Sequence, residues 1–560
     1  MINSQNMKKS FVELNGRERA QALSDEGTFR ELLGPFDNFE SPHLEKQGIV
    51  PQSDDGVIVA RAKIAGKDAL IISLEGEFQG GGIGEVSGAK ISGALELALV
   101  ECKKGNLIAP VILYDTGGVR LQEANYGLLS IAEIHSAIVA LREYVPVTAI
   151  IPGKVGAYGG MSITVGLCSS IIMTKEARLS LNGPEVIETE AGVAEFDSKD
   201  RIKIWQATGG EQRVAANFAD KLVADDISEI KEATVNAIDA PPSVARPEQI
   251  EFYLNALSSF NPNNHLSPLE ARKLFSNNPP ERIKLEEVDK SSVGRGMTWF
   301  NCLTDNAFDE SELSTVRVAE HDLLGEKAVF IAIVPDSKNN FPRVRSGEVG
   351  LKEGWTVAKA ITEVVEADKD NQIKRPIIAI VDVPSQAYGY NEELLGIHQS
   401  LAASVNAYAK ARLAGHPVVA FIPGLAISGA FLSHGMQANR IIALSDPGVN
   451  VHVMSKASAA LITQRTIAEL EEATKDVPAM AYDVESFESL GALSDLITGI
   501  NADSPTEADL MIIVKKIKEA IKDIRENGTD LSNRLTSKYA SESGRIATNQ
   551  VRKKLEEQWN

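Results

Sequence analysis

Two glycine-rich turns in this sequence could hold an anion on backbone amides. Residues 115–120 read DTGGVR and residues 158–162 read YGGMS, and each turn follows an apolar stretch and precedes a helical pattern. The first amides of a helix have no acceptor within the helix, so they are available to anions. Two such turns side by side would form an oxyanion hole. The residues that would supply it are Gly117, Gly118, Val119, Gly159 and Gly160.

A second pair of turns of the same kind lies in the C-terminal half. Residues 382–389 read DVPSQAYG, and residues 427–430 read ISGA. They predict a second pocket of backbone amides, and two pockets suggest a reaction with two carbonyl or carboxylate groups to hold. The residues of this second pocket would be Tyr388, Gly389, Ser428, Gly429 and Ala430.

Side chains that could move a proton or bind substrate are fewer. The sequence contains no GxSxG nucleophile turn and no HExxH or denser set of metal ligands. His398 follows the second turn, and Tyr158 and Tyr388 stand beside the two pockets, so these three are candidates for proton donation or substrate contact, with packing as the alternative. Arg120 could bind a substrate carboxylate or anchor its own loop through a salt bridge, and the sequence leaves both interpretations open.

A glycine-rich stretch, GEFQGGGIGEVSGAK at residues 76–90, precedes the first turn. Its spacing differs from the GxGxxG pattern of dinucleotide-binding loops, which makes nucleotide binding a weak prediction. Gly81 and Gly82 could let the backbone approach a ligand closely. A tight structural turn is the alternative.

The elements that must position these turns recur in the same order in both halves. A helical pattern leads into an apolar strand at residues 110–115 or 376–382, then into a loop and a long helix. A second apolar strand follows, PVTAIIPG at residues 146–153 or PVVAFIPG at residues 417–424, and the small-residue turn comes next. Short apolar strands that alternate with helices predict an α/β fold with a mostly parallel sheet, here duplicated.

Composition excludes several classes of protein. The chain has 560 residues, of which 43% are hydrophobic and 24% charged, as expected for a globular protein of several domains. A net charge of −20 repels nucleic acid and anionic lipid, so neither nucleic acid nor membrane is an expected partner. The three cysteines form no CxxC pair, and no signal-peptide core or bilayer-length apolar run occurs. We therefore expect a cytoplasmic location.

Several of these motifs resemble one family of enzymes. DTGGVRLQEAN at residues 115–125, ARLSLNGPEVIE at residues 177–188 and DVPSQAYG resemble loops of acyl-CoA carboxyltransferase subunits. The segment at residues 10–44, the glycine-rich stretch and RGMTWFNCLTD at residues 295–305 look like the β and γ subunits of biotin-independent malonate decarboxylase, here fused end to end.

The resemblance implies an architecture and a reaction. It implies two crotonase-like domains in tandem, each a ββα superhelix. It implies decarboxylation of malonyl-S-acyl-carrier protein to acetyl-S-acyl-carrier protein and CO2, with the enolate oxygen held by the amides of Gly118 or Val119 and of Gly160. No biotin and no metal are expected on the chain.

The resemblance also implies partners. The acyl group would be carried on the phosphoribosyl-dephospho-coenzyme A arm of an acyl-carrier-protein subunit, and a malonate:carrier-protein transferase subunit would load it. A homo-oligomer is expected. Ser385 and Ser428 stand where the family pattern has glycine. We therefore expect the second pocket to have lost a role in binding the biotin carbonyl and to hold another group, such as the leaving carboxylate.

The predicted domains are a β-subunit-like domain at residues 1–240, a linker with short helices at 241–292 and a γ-subunit-like domain at 293–560. One alternative function is a carboxyltransferase or decarboxylase component of a biotin-dependent acyl-CoA system. A non-catalytic scaffold that docks the carrier protein is another. A crotonase-type hydratase or isomerase is less favoured, because it needs acidic side chains where Met161 and Ser162 follow Gly160.

Overall fold

Seven strands of the N-terminal half form one mixed sheet whose strand order follows the chain. The computed structural model describes residues 8–276, 280, 292–307 and 311–560. The first three strands pair antiparallel, and the third to the seventh run parallel. The strands are β1 Arg30–Leu32, β2 Val57–Ile64, β3 Lys67–Leu74, β4 Ala109–Leu113, β5 Thr148–Ile151, β6 Ser170–Thr174 and β7 Lys221–Val223.

The C-terminal half repeats this plan with a six-stranded sheet, in the order β15-β13-β11-β10-β9-β8. The strands β8 and β9 form an antiparallel hairpin, and the other neighbours in this sheet are parallel. The strands β12 and β14 form a separate parallel pair. The strands are β8 Val316–Asp322, β9 Lys327–Ile333, β10 Ile377–Ile380, β11 Val418–Ile422, β12 Leu425–Ile427, β13 Arg440–Leu444, β14 Asn450–His452 and β15 Asp495–Ile497.

Helices cover both faces of the sheets. In the first half they are α1 Gly16–Leu23, α2 Glu85–Lys103, α3 Asn125–Leu141, α4 Gly159–Leu167, α5 Pro184–Ala191, α6 Arg201–Thr208, α7 Gly210–Ala215, α8 Ile227–Ile238, α9 Ile250–Leu257 and α10 Pro268–Leu274. In the second half they are α11 Arg295–Thr304, α12 Leu351–Ala367, α13 Tyr390–Leu394, α14 Ile397–Leu413, α15 Ser428–Ser433, α16 Lys456–Ile462, α17 Ile467–Ala473, α18 Val484–Ser489, α19 Glu507–Asn527, α20 Asn533–Thr536 and α21 Ile546–Gln558. Within the described ranges, none of them is both long enough and apolar enough to cross a membrane.

The apolar strands lie at the centre of each sheet. Every residue of β4 and of β11 is buried. A strand that is covered on both faces has no polar side to alternate with, so its sequence is a continuous apolar run. The α/β class with parallel sheets, predicted from these runs, is confirmed.

Isolated backbone bridges align the two halves residue by residue. Ile83 pairs with Val119 in the first half as Val349 pairs with Gln386 in the second. In the same way, the bridge between Thr116 and Ala157 in the first half corresponds to the bridge between Val383 and Ala426 in the second. By these pairings Val119 in the first half is equivalent to Gln386 in the second, and Gly160 is equivalent to Gly429. The duplication predicted from the order of elements is therefore present at the level of single residues.

The segment between the halves contacts both of them. Tyr253 on α9 stacks on Trp355 of α12, with ring centroids 4.5 Å apart, and its hydroxyl donates to the carbonyl of Asn217 at 3.2 Å. The helix α9 lies in the predicted linker. The predicted domain division stays a prediction, and residues 277–279 and 281–291 of the predicted linker lie outside the described residues.

The C-terminal helix returns to the first half. Arg552 on α21 forms ion pairs with Glu96 and with Glu133, the latter at 2.9 Å. A Cβ on Gly93 of α2 would lie 3.1 Å from the side chain of Leu555. Both α9 and α21 thus form contacts between the two halves.

Candidate active site

A cavity of about 1050 Å³ lies between the two halves of the single chain. Residues of both pairs of glycine-rich turns line it. The turns contribute Gly117, Val119, Gly159 and Gly160 from the first half and Tyr388, Ser428 and Gly429 from the second. The structure therefore brings the two predicted pockets together in one cavity.

Val119 presents one unpaired amide to this cavity. Ile83 bonds to the residues on either side of it, donating to the carbonyl of Gly118 at 2.8 Å and accepting from the amide of Arg120 at 2.9 Å. In a parallel bridge of this kind the residue between the two hydrogen bonds, here Val119, points its own amide away from the bridge partner. The amide of Val119 has no acceptor in the described part of the chain.

Gly160 presents a second unpaired amide. It is the second residue of α4, whose first residue, Gly159, donates to the carbonyl of Leu181 at 2.8 Å. The Gly160 amide comes next and finds no acceptor among the described residues, as expected in the first turn of a helix. A Cβ at this position would lie 2.7 Å from Leu432, so the turn packs directly against the second half.

The two first-half turns touch each other, which explains their glycines. Gly118 and Gly159 have φ angles of +100° and +55°. A Cβ on Gly118 would lie 3.0 Å from the carbonyl of Tyr158 and 3.2 Å from the Cα of Gly159. Side chains at these positions would push the two turns apart and separate their free amides.

The remaining amides of the first predicted pocket already donate hydrogen bonds within the chain. The amide of Gly117 donates to the carbonyl of Gly80 at 2.8 Å, and that of Gly118 donates to the hydroxyl of Thr116 at 3.0 Å. Of the five residues predicted for this hole, Val119 and Gly160 are the two whose amides are open.

A buried aspartate fixes the ends of the strands behind the turns. The carboxylate of Asp115 accepts from the amides of Val155 and Gly156, at 2.7 and 3.3 Å, and pairs with Arg19 at 2.9 Å. Arg19 and Asp115 are each about 1% exposed. Since both charges are satisfied internally, this pair serves the geometry of the turns and does not face the cavity.

The second pocket differs from the first by one occupied amide. The amide of Gly429 donates to Oε1 of Gln386 at 3.1 Å, and Nε2 of Gln386 donates to Oδ1 of Asn182 at 2.7 Å. Ser428 takes the left-handed backbone conformation of its counterpart Gly159, with φ of +63°. The prediction of an open amide at Gly429 is therefore corrected: the chain's own carboxamide fills it.

Two tyrosines line the cavity. Tyr158 is 7% exposed, and its hydroxyl has no hydrogen-bond partner in the described chain. Burial raises the pKa of Tyr158 to about 12 and also raises the pKa of the half-buried Tyr388. Both phenols are therefore protonated near neutral pH and are able to donate a proton or a hydrogen bond.

Arg178 is a cavity residue that the sequence did not single out. Its guanidinium lies over the ring of Trp205, 4.4 Å from the centroid, and donates to the carbonyl of Lys154 at 2.5 Å. Its Nε atom is buried and has no acceptor among the residues that the structure describes. A guanidinium is a group that binds carboxylates and phosphates, and Arg178 brings one to the cavity wall. The sequence signal that could have identified Arg178 is its position in ARLSLNGPEVIE, the segment that resembles a carboxyltransferase loop.

Arg120 lies outside the cavity and anchors its loop. It is 2% exposed and pairs with Asp55 at 2.6 Å and with Glu123 at 2.7 Å. Of the two interpretations left open by the sequence, the salt bridge is the one observed. The predicted substrate contact of Arg120 is corrected accordingly.

Gly81 and Gly82 are also structural. A Cβ on Gly81 would lie 2.0 Å from the carbonyl oxygen of Asp115, and one on Gly82 would lie 3.1 Å from Arg120. These glycines allow the backbone to cross close behind the first turn. They do not line the cavity, so the ligand approach expected of them is corrected to a tight backbone contact.

His398, Gly389 and Ala430 do not line the cavity either. His398 is fully buried beside Phe218, with ring centroids 5.7 Å apart, and burial holds its pKa well below the usual range. A neutral imidazole in this position is not a substrate contact. Gly389 packs against the side chain of Glu392.

No cluster of three or more potential metal ligands occurs among the described residues. Besides its amides and phenols, the cavity is lined by the charged residues Lys154, Arg178, Glu185, Glu188 and Arg201.

Comparison with known families gives two matches along the chain. Residues 13–291 match the family model of the carboxyl transferase domain. Residues 344–559 match that of the malonate decarboxylase gamma subunit.

Two curated proteins of Malonomonas rubra are similar to separate parts of the chain. Malonyl-S-ACP:biotin-protein carboxyltransferase MADC is 44% identical over 243 residues, which are 42% of this chain and 76% of that protein. Malonyl-S-ACP:biotin-protein carboxyltransferase MADD is 38% identical over 207 residues, which are 36% of this chain and 70% of that protein.

Among solved structures, a Pseudomonas malonate decarboxylase hetero-tetramer in complex with malonate contains a similar chain. The identity is 52% and the TM-score 0.47, and the match covers 48% of this chain and 98% of that one.

Proposed function

This chain belongs to the carboxyl transferase family, with β-like and γ-like parts of a malonate decarboxylase fused in one polypeptide, and from that premise we propose that it decarboxylates a malonyl thioester. The substrate would be malonyl-S-acyl-carrier protein, and the products would be acetyl-S-acyl-carrier protein and CO2. The reaction is then that of a carbon–carbon lyase, and the chain would be its catalytic component.

The observation that carries this proposal is the pair of unpaired amides of Val119 and Gly160 at the cavity wall. Cleavage of the bond between the α-carbon and the carboxylate leaves an electron pair on the α-carbon, which delocalises onto the thioester oxygen. Fixed N–H donors stabilise that charge without reorganising, and one such donor is typically worth ~3–4 kcal/mol in the transition state. Val119 and Gly160 would bind the thioester oxygen.

The rest of the cavity suits the two remaining requirements. Apolar side chains of Leu128, Leu432 and Val453 form part of its wall and would favour loss of the carboxylate charge as CO2. The enolate carbon must then receive a proton. Tyr158 is our proposed donor, because the residue lines the cavity and its protonated hydroxyl has no hydrogen-bond partner in the described chain.

The proposal includes partners that deliver the substrate. A phosphoribosyl-dephospho-coenzyme A arm on an acyl-carrier-protein subunit would bring the malonyl group into the cavity, and a malonate:carrier-protein transferase subunit would load it. Arg178 would bind an anionic group of the arm or the malonyl carboxylate. We also propose a homo-oligomer, a cytoplasmic location and a reaction without biotin or metal.

A second candidate is transfer of the carboxyl group to a biotin protein, which is favoured by the names of the two Malonomonas relatives. That reaction must also stabilise the acceptor, because the ureido oxygen of biotin takes up charge when its nitrogen is deprotonated to attack. The second pocket is where this oxygen would bind. There the side chain of Gln386 already accepts the hydrogen bond of the Gly429 amide, and this contact favours decarboxylation over transfer to biotin.

The test uses the chain purified together with the proposed partner subunits, which are co-expressed with it. Mass spectrometry of the carrier and assay of malonyl-carrier with and without avidin separate the candidates. We expect the carrier to bear a phosphoribosyl-dephospho-coenzyme A arm and CO2 release to be insensitive to avidin. A biotinylated partner together with avidin inhibition would support the transfer reaction, and absence of any turnover would support a docking scaffold.

A further inference from the structure

Glu393 places a carboxylate of the second half inside the first half. The side chain is fully buried, and it accepts from the amides of Leu181 at 2.9 Å and Asn182 at 2.7 Å. The hydroxyl of Ser180 lies 2.7 Å from Oε2, and Nδ2 of Asn182 donates to Oε1 at 2.9 Å. A buried carboxylate is costly unless its oxygens are fully bonded, so a contact this complete fixes the loop at residues 180–182.

One arginine balances the charge of this carboxylate. Nη2 of Arg213 lies 3.8 Å from Oε2 of Glu393, and Nη1 donates to the backbone carbonyl of Glu393 at 2.8 Å. Burial raises the pKa of Glu393, and Arg213 opposes that shift. The N–H groups that point at both carboxylate oxygens require acceptors, which favours the ionised form.

The loop held by Glu393 is one bond away from the free amide. The carbonyl of Leu181 accepts from the amide of Gly159 at 2.8 Å, and the unpaired amide of Gly160 is the next along α4. The other hydrogen bonds of this turn hold its carbonyls, as where the hydroxyl of Ser162 donates to the carbonyl of Gly159, whereas Leu181 is the acceptor that holds the Gly159 amide. A movement of Leu181 would therefore be passed directly to the donor of the oxyanion hole.

The same loop reaches the second turn. Oδ1 of Asn182 accepts from Nε2 of Gln386 at 2.7 Å, and Oε1 of Gln386 accepts from the amide of Gly429. A continuous set of hydrogen bonds thus runs from Gly159 through Leu181, Glu393 and Asn182 to Gln386. All of these groups are on or next to the cavity wall.

We propose that Glu393 is a positioning residue, which completes the oxyanion hole of the first half from the second half. It does not touch the reacting atoms and acts through Leu181 on the amide of Gly160. The inference rests on the proposed function for its kinetic consequence, while its structural part is independent of it. It implies that the hole reaches its working geometry only when the two halves are docked.

The test compares Glu393→Gln with Glu392→Gln, its neighbour on α13. In E393Q an NH2 group replaces one acceptor oxygen and faces N–H donors of residues 181 and 182. Glu392 is also buried and packs against Gly389, and none of the hydrogen bonds of residues 180–182 within the described chain goes to its carboxyl group. Both changes keep the size of the side chain, so E392Q controls for conversion of a buried carboxyl group on α13 to an amide.

Three measurements are made on the purified complex. Hydrogen exchange reports the protection of the amides of Gly159, Leu181 and Asn182. Isothermal titration with acetyl-carrier protein gives the fraction of competent sites. Steady-state assay with malonyl-carrier protein then gives KM and kcat per competent site.

For E393Q we expect faster exchange at all three amides, a 10- to 100-fold lower kcat per competent site and a KM within threefold of the wild type. For E392Q we expect values within twofold. Unchanged exchange and unchanged kcat in E393Q would overturn the inference. So would fewer competent sites at an unchanged kcat per site, because that result would give Glu393 a role in folding alone. If the wild type releases no CO2, the proposed function fails, and the exchange data still decide whether Glu393 holds the turn.

Discussion

Gln386 stands in the second half where Val119 stands in the first, and its carboxamide oxygen accepts the amide proton of Gly429 at 3.1 Å. The counterpart of that amide, on Gly160, is unpaired. A valine side chain cannot accept a hydrogen bond, so the first hole stays open to a ligand. One side chain therefore decides which of two equivalent pockets is available.

Replacing Gln386 by Val should open the second pocket. We expect Gln386→Val to transfer labelled carboxyl from malonyl-carrier to free biotin at a measurable rate, while the wild type transfers none. The lost hydrogen bonds should cost about 1 kcal/mol of stability each. Gln386→Glu keeps an oxygen for the Gly429 amide and should gain no transfer activity. Absence of transfer in Q386V would mean that the side chain alone does not block the acceptor.

Tyr158 offers a test of the proton donor. Because burial raises its pKa to about 12, the phenol is protonated throughout the pH range of an assay. We expect Tyr158→Phe to lower kcat by about 10²-fold, the usual scale for a general acid, without changing the shape of the pH–rate profile below pH 10. Tyr388→Phe is the matched control at the same cavity. A Y158F enzyme within threefold of the wild type would exclude the hydroxyl as donor.

The fold could be predicted in outline because its determinants are local in sequence. Apolar runs such as β4 and β11 indicate buried parallel strands, and the repeated order of elements indicates the duplication. The glycine pairs mark the turns, since Gly118 and Gly159 need left-handed backbone and close approach. These properties depend on residue type and spacing, which the sequence states directly.

The site could be predicted only in part, because its other determinants are long-range side-chain contacts. The role of Arg120 depends on Asp55, its ion-pair partner, which lies 65 residues away in the chain. The cap of Gln386 on Gly429 depends on a rotamer, and the contact of Glu393 with residues 180–182 depends on how the halves dock. No pattern within either half encodes these contacts.

The amide of Gly160 can be removed by proline, which the first turn of a helix tolerates. We expect Gly160→Pro to lose 10²–10³-fold in kcat relative to Gly160→Ala, the usual cost of one oxyanion donor. The alanine variant is the control, because its Cβ meets Leu432 at the same 2.7 Å yet its N–H remains. Steady-state kinetics on folded, matched preparations decide the point. Equal turnover of G160P and G160A would remove this amide from the mechanism.

Glu392 should make the stability of the protein depend on pH. The carboxyl is buried near Glu195 and Arg343, and burial raises its pKa from 4.5 to about 7. Between these values the folded chain holds the proton more tightly than the unfolded chain does. The stability from this protonated group is therefore fully present below about pH 4.5 and is lost as the pH rises through 7, by about 3 kcal/mol in all.

Glu392→Gln should abolish that part of the pH dependence, because the amide remains neutral at every pH. We expect the thermal unfolding midpoint of E392Q to exceed that of the wild type increasingly from pH 5 to pH 8. The exposed carboxylate of Glu472 pairs with Lys475 at the surface, so Glu472→Gln should follow the wild type. If the midpoints of E392Q and the wild type fall in parallel over this range, the buried carboxyl of Glu392 is not the group that loses its proton.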